Sequence, residues 1–182
     1  GQRRQAADGV AGAGGGVASM GIQLARHAGA TVFATTSSVQ KITRARELGA
    51  HEVFNYRDDD WVEQVLEASR GRGVDLVQDN VGAATWLNAL RLLAPNGRLV
   101  TCGSHSGTTI PLDITQIYHR QLRVLGSNGG TYHDLTSVLA LVEGGTVRPV
   151  IDIVLPLEKI HEGHRLLEEG EHFGKVVITI AN

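Results

Sequence analysis

Two apolar patterns take turns along this chain. Short apolar-rich runs, such as Thr31-Val-Phe-Ala-Thr-Thr36, Arg98-Leu-Val-Thr-Cys102 and Leu122-Arg-Val-Leu-Gly126, have the character of strands covered on both faces. Between them lie stretches whose apolar residues recur every three or four positions, the period of a helix. The pattern predicts helices over residues 16–28, 39–48, 59–69, 83–93, 114–120, 132–143 and 157–169. It predicts strands over 31–36, 51–55, 74–79, 98–102, 122–126, 150–155 and 175–180. Gly29, Gly49 and Gly144 follow helices where a C-terminal stop belongs, and Asp58-Asp59-Asp60 suits the positive start of another.

Strands alternating with helices call for an α/β fold, a doubly wound and mostly parallel sheet with helices on both faces. The weak point is the first strand. Its candidate, Ala6-Ala7-Asp8-Gly9-Val10-Ala11, contains two poor strand formers, Asp8 and Gly9.

Composition changes this picture little. The 182 residues are 42% hydrophobic and 20% charged with a net charge of −2, which suits one core-bearing domain and implies no general attraction to nucleic acid or membrane. Cys102 is the only cysteine, which rules out an internal disulfide and fits a reducing, cytoplasmic setting. Within an apolar strand it reads as an inert core thiol.

Candidate chemistry starts at Val10-Ala-Gly-Ala-Gly-Gly-Gly-Val-Ala-Ser-Met-Gly-Ile-Gln-Leu-Ala25. Gly12, Gly15 and Ala18 stand three apart and run straight into a helix. Glycines let the backbone approach a diphosphate, and the helix start offers free N–H groups and positive dipole charge. A flexible glycine loop is the plainer alternative. The end of the second strand reads Thr35-Thr36-Ser37-Ser38, where an NAD site usually carries an acid. Hydroxyls followed by Lys41 and Arg44 suit a 2′-phosphate instead, or else Ser37 or Ser38 caps a helix with a solvated basic face. His161 and His164 share a helix face but lack the third ligand of a zinc site.

Further pieces are Ala45-Arg-Glu-Leu-Gly-Ala50, Val53-Phe-Asn-Tyr-Arg57, Gly71-Arg-Gly-Val-Asp75, Asp79-Asn-Val-Gly82, Leu93-Ala-Pro-Asn-Gly-Arg-Leu-Val100, Leu125-Gly-Ser127 and Gly174-Lys-Val-Val177. With the glycine turn they make the chain resemble the cofactor-binding domain of the medium-chain dehydrogenase/reductase superfamily. The nearest branch is that of the zinc-independent quinone oxidoreductases and enoyl reductases. The resemblance implies a Rossmann-type fold over residues 1–182, without the family's N-terminal substrate domain. It implies NADPH as cofactor, with Gly12, Gly15, Gly16 and Val17 on the diphosphate and Ser37, Lys41 and Tyr56 around the 2′-phosphate. Asn80, Val81, Gly82, Gly103 and Ser104 would border the ribose and nicotinamide, and Asn128 and Lys175 would approach the nicotinamide half. A homodimer and hydride transfer to a quinone, enone or carbonyl follow from it. The competing function is a non-catalytic nucleotide-binding module that senses redox state; a methyltransferase is disfavoured by the missing acid after the second strand.

Overall fold

The structure, a computed structural model, describes residues 7–10 and 14–180. Six strands form the main sheet: β1 (Ala7–Val10), β2 (Thr31–Thr36), β3 (Glu52–Asn55), β4 (Val74–Asp79), β5 (Leu93–Thr101) and β6 (Arg123–Gly126). Their order is β3-β2-β1-β4-β5-β6, and every neighbouring pair is parallel. The weak first strand forms at the centre, with Gly9 in register with Phe33 on one side and Val77 on the other. Two ladders of backbone hydrogen bonds outweigh the poor intrinsic preference of Asp8 and Gly9.

Helices α1 (Gly16–His27), α2 (Val39–Glu47), α3 (Trp61–Ala68), α4 (Trp86–Leu92) and α5 (Thr115–His119) lie between these strands. The strand residues divide by alternation. Val32, Ala34 and Val53 join Ala18 and Ile22 of α1 and Ala45 of α2 in one core. Phe33 and Phe54 join Val62 and Val65 of α3 and Leu90 of α4 in the other. Both faces of the sheet are therefore covered, which is why its strands read as apolar runs rather than as alternating ones. Gly21 brings α1 against the sheet, since a methyl group there would stand 2.2 Å from Gln78 Oε1 on β4.

The boundary at the start of β5 departs most from expectation. The Pro95-Asn96-Gly97 turn sits inside β5, with Asn96 at φ 65° and a register break opposite Val74 and Leu76. Strand β5 starts directly at the end of α4.

Beyond β6 the chain forms α6 (Tyr132–Glu143), β7 (Ile151–Pro156), a 3₁₀ turn (Leu157–Lys159), α7 (Ile160–Glu168) and β8 (Lys175–Thr179). Strands β7 and β8 pair in parallel as a separate sheet. This unit docks on the α1 and α2 side. Phe173, only 2% exposed, enters the core of Ala18, Ile22 and Ala45, with the Arg44 guanidinium 4.5 Å over its ring. Gln23 clasps the Arg148 backbone by two hydrogen bonds of 2.9 Å, one donated and one accepted.

Candidate functional site

The carboxyl ends of β1, β2 and β4 open into a crevice of about 770 Å³. One wall is the turn before α1, Gly14 to Val17, with Thr36, Ser37, Lys41, Tyr56 and Asn80. The opposite wall comes from the second unit: Leu167, Gly170, His172, Gly174, Lys175 and Val176. The walls are tied together where the Gly174 N–H donates to the Gly14 carbonyl at 2.8 Å.

Most of the expected site residues meet here. Gly15, Gly16, Val17, Ser37, Lys41, Tyr56, Asn80 and Lys175 all line this crevice. Gly12 lies outside the described residues. Gly82, Gly103, Ser104 and Asn128 line a second crevice of about 550 Å³ beyond β5 and β6. Val81 lines neither, but its carbonyl accepts from the Ser106 N–H and hydroxyl, each at 2.8 Å, lacing the two loops together.

Two placements depart from expectation. Lys175 does not approach the second crevice: a methyl group at Gly16 would stand 2.7 Å from its Cε and 3.0 Å from its Nζ. Its ammonium thus lies at the start of α1, because the Gly14–Gly174 contact sets the first residue of β8 there. Cys102 is exposed rather than buried and lines the second crevice, since β5 ends one residue earlier.

The end of β2 has no carboxylate on it. Ser38 occupies the N-cap of α2 without a side-chain capping bond, and the first turn of α2 holds no acid. Arg44 is committed elsewhere, to an ion pair with Asp152 on β7. Lys41 lies over the glycine turn, its Nζ 3.1 Å from where a methyl on Gly14 would stand, and donates to the Gly170 carbonyl. Burial lowers the pKa of Lys41, Asp152 acts against that, and Arg57 and Arg44 lower it further.

Several contributors go beyond the expected site residues. Thr36 is 1% exposed, and its Oγ1 has no hydrogen-bond partner among the described residues; the Asn80 Oδ1 is likewise buried and unpartnered among them. Buried polar atoms are normally satisfied, so two orphans on one crevice mark where a polar ligand belongs. Thr36 was legible as the last residue of its strand. Leu167, Gly170 and His172 carried no local signal, because a separate sheet brings them in. Asp79, fully buried, accepts from the N–H groups of Val81 and Gly82 at 2.9 Å and from the Thr85 hydroxyl, and so shapes the loop that carries Asn80.

A glycine turn entering a helix at the end of a central parallel strand, with a polar crevice above it, defines a dinucleotide-binding α/β fold. The chain belongs to the zinc-binding dehydrogenase family, whose profile matches residues 16–144, and hence to the medium-chain dehydrogenase/reductase superfamily. It is 33% identical over 187 residues to a highly reducing polyketide synthase of Emericella nidulans, covering 92% of this chain and 7% of the synthase. It is 28% identical over 176 residues to the 2-haloacrylate reductase of a Burkholderia species, covering 91% of this chain and 53% of that enzyme. Among solved structures, an NAD-dependent alcohol dehydrogenase superposes with a TM-score of 0.92 at 40% identity, over 98% of this chain and 52% of that one. A 2-octenoyl-CoA carboxylase reductase in complex with NADP and 2-octenoyl-CoA superposes with a TM-score of 0.85 at 28% identity, over 97% of this chain and 44% of that one. The chain thus spans about half the length of such single enzymes and a small part of the synthase.

The family description carries zinc, but the residues present do not fit a zinc site. Among the described residues no three His, Cys, Asp or Glu side chains are grouped to hold a metal ion, and His161 and His164 both face solvent. No helix among the described residues is long and apolar enough to cross a membrane.

Proposed function

We propose that this chain is the NADPH-holding part of a reductase that passes hydride to a conjugated alkene, a quinone or a carbonyl compound. The observation that carries the reading is the end of β2: a buried, unpartnered Thr36 hydroxyl, Ser37 and Lys41 around one crevice, with no acid in the first turn of α2. A carboxylate there would repel a 2′-phosphate, whereas an ammonium and hydroxyls hold one.

The residues divide the work along the crevice. Gly15, Gly16 and the N–H groups opening α1 receive the diphosphate, and the Lys175 ammonium adds a cation from the other wall. Tyr56, half exposed beside Thr36, offers a face to the adenosine end. Asn80 continues the path toward Gly82, Gly103, Ser104 and Asn128, where the nicotinamide half would lie. When bound, the cofactor supplies the hydride; the chain binds it, orients it and shields one of its faces. Two relatives, the 2-haloacrylate reductase and the 2-octenoyl-CoA carboxylase reductase, support the conjugated alkene among these acceptors.

The same reading includes a homodimer. Strand β6 ends the sheet, and Val124 and Leu125 are 39% and 44% exposed on it. An uncovered apolar edge is a template for a second chain, and two-fold pairs are the commonest assembly.

The test of the cofactor is a fluorescence titration with NADPH and NADH. Lys41→Ala is expected to weaken NADPH by about tenfold or more while leaving NADH nearly unchanged, from a charge-assisted bond of roughly 1.5–3 kcal/mol. Equal losses for both would take Lys41 out of the phosphate site. Because burial lowers the Lys41 pKa, the preference for NADPH should also fade earlier on the alkaline side than an ordinary lysine would allow, read from the same titration at rising pH.

A further inference from the structure

We propose that Lys41 is a latch shared between the nucleotide and the α7–β8 turn, so that a 2′-phosphorylated dinucleotide releases the turn and an unphosphorylated one leaves it fastened. The inference rests on the reading of Lys41 as a 2′-phosphate ligand and adds to it a coupling between two elements.

Gly170 follows the C-cap of α7 and turns the chain at φ 66°. Carbonyls at a helix C-terminus lack intrahelical partners and carry the negative end of the dipole, so a cation is favoured there. Lys41 supplies it from the first turn of α2, a place where its own helix disfavours positive charge. Asp152, the carboxylate that faces Lys41, is already engaged by Arg44 and by the Phe173 N–H. Lys41 is thus held by a neutral carbonyl at the mouth of the crevice, with Arg57 and Arg44 as like-charged neighbours.

A phosphate beside Ser37 and Thr36 brings the charge that the carbonyl lacks, and an ammonium–phosphate bond is the stronger of the two. When Lys41 turns to it, the Gly170 carbonyl loses its donor. The loss is local, since Phe173 and Gly174 keep their own bonds to Asp152 and Gly14. What remains in the turn is mostly long or solvent-exposed: the N–H groups of Gly170 and Glu171 reach Leu167 and Leu166 at 3.2 Å each, His172 Nδ1 lies 3.3 Å from the Leu166 carbonyl, and the exposed Arg165 pairs with Glu169 and Glu171. The wall formed by Leu167, Gly170 and His172 becomes adjustable once the 2′-phosphate is seated. The same coupling sets selectivity, because part of the attraction for NADPH is spent in breaking the Lys41–Gly170 contact.

Hydrogen–deuterium exchange of the whole chain tests this, with binding of NADP⁺ and NAD⁺ followed separately by calorimetry. NADP⁺ should speed exchange of the peptide covering residues 166–172 by about fivefold, the order expected for one lost hydrogen bond, and NAD⁺ should leave it unchanged. Lys41→Met without nucleotide should show the same local acceleration, while the peptide covering residues 173–179 stays protected and reports an intact fold. NADP⁺ binding with unchanged or slower exchange in 166–172 would overturn the latch and leave the cofactor reading standing. So would Lys41→Met exchanging like the unmodified chain. Failure of NADP⁺ to bind would sink the cofactor reading and the release step with it.

Discussion

The two flanks of the main sheet carry similar apolar patterns and meet different fates. On the β2–β3 side, α1 and α2 are roofed by the β7–α7–β8 unit, and Phe173 closes a continuous core. At the β6 edge the cover is thinner: Leu122, Ile117 and Leu112 reach the core, but all four residues of β6 are exposed and α6 has no buried residue among those described. Tyr132, Leu135 and Leu139 stand 81%, 55% and 48% exposed on α6, although its capping box of Thr131 and Asp134 makes it a well-started helix. Apolar periodicity records that a face is to be covered; it does not say by what. The first flank is completed within the chain. The second leaves Val124, Leu125, Leu135 and Leu139 exposed, and apolar exposure of this kind supports the proposal of a second copy at β6.

The sharpest way to break this comparison is to cut the same kind of side chain on each flank. Phe173→Ala is expected to cost about 3–5 kcal/mol, the range for truncating a buried aromatic, whereas Leu135→Ala on α6 should stay within about 0.5 kcal/mol. Urea unfolding of both variants checks it. Similar losses would mean that α6 is covered in solution and that the two flanks are alike.

How much of this was legible in the sequence follows the same division. Strands and helices of the main sheet were readable because each carries its own period, and the crevice floor was readable because the glycine turn and the Thr35–Ser38 stretch are local signals. The central strand was underrated, since Asp8 and Gly9 gain from two flanking ladders that no local propensity contains. Cys102 reads as a core thiol, yet one residue at the end of β5 decides its exposure, and Lys175 reaches the diphosphate turn through the long-range Gly14–Gly174 contact. Arg44 reads locally as a candidate phosphate ligand, and Asp152, more than a hundred residues away, holds it instead. Leu167, Gly170 and His172 were invisible for the same reason: docking of a second sheet is a long-range event.

A second test acts on the hinge of the docked flank. Gly174 has φ 103°, and a methyl there would stand 2.3 Å from the Val150 carbonyl oxygen. Both the conformation and the space exclude a side chain. Gly174→Ala should therefore cost about 1–3 kcal/mol and loosen Lys175 from the diphosphate turn. Calorimetric melting together with weaker binding of both NADPH and NADH would support this; unchanged affinity at lowered stability would detach the β8 wall from the site.

The bare flank is probed by charge. Leu125→Lys places a cation on the outer strand, a device by which sheet edges are kept from pairing. The proposed dimer should weaken by about tenfold or more, equivalent to roughly 1.4 kcal/mol, with the monomer still folded. Light scattering across a concentration series reads the result, and a monomer in the unmodified chain at high concentration would remove β6 as a dimer edge.

The smallest expected effect is on the docked flank and depends on pH. Burial works to raise the Asp152 pKa, but the hydrogen bonds from Arg44 and the Phe173 N–H, with the Arg44 and His172 charges, bring it below the ordinary carboxylate range. The folded chain therefore holds this proton less readily than the unfolded chain, whose aspartate titrates near 3.9. The stabilisation is fully present above that value and is lost as pH falls through the lower, folded one. Arg44 and Asp152 are 39% and 23% exposed, so solvent screening limits the pair to about 0–1 kcal/mol. Asp152→Asn keeps one acceptor for Phe173 and removes the charge and the acceptor that face Arg44. Its melting temperature should lie slightly below that of the unmodified chain at neutral pH, and the two curves should converge as the medium is acidified below pH 4. Curves that stay parallel throughout would show that the Arg44–Asp152 pair adds nothing, leaving Phe173 and the Gly14–Gly174 contact to hold the roof by packing and backbone bonding alone.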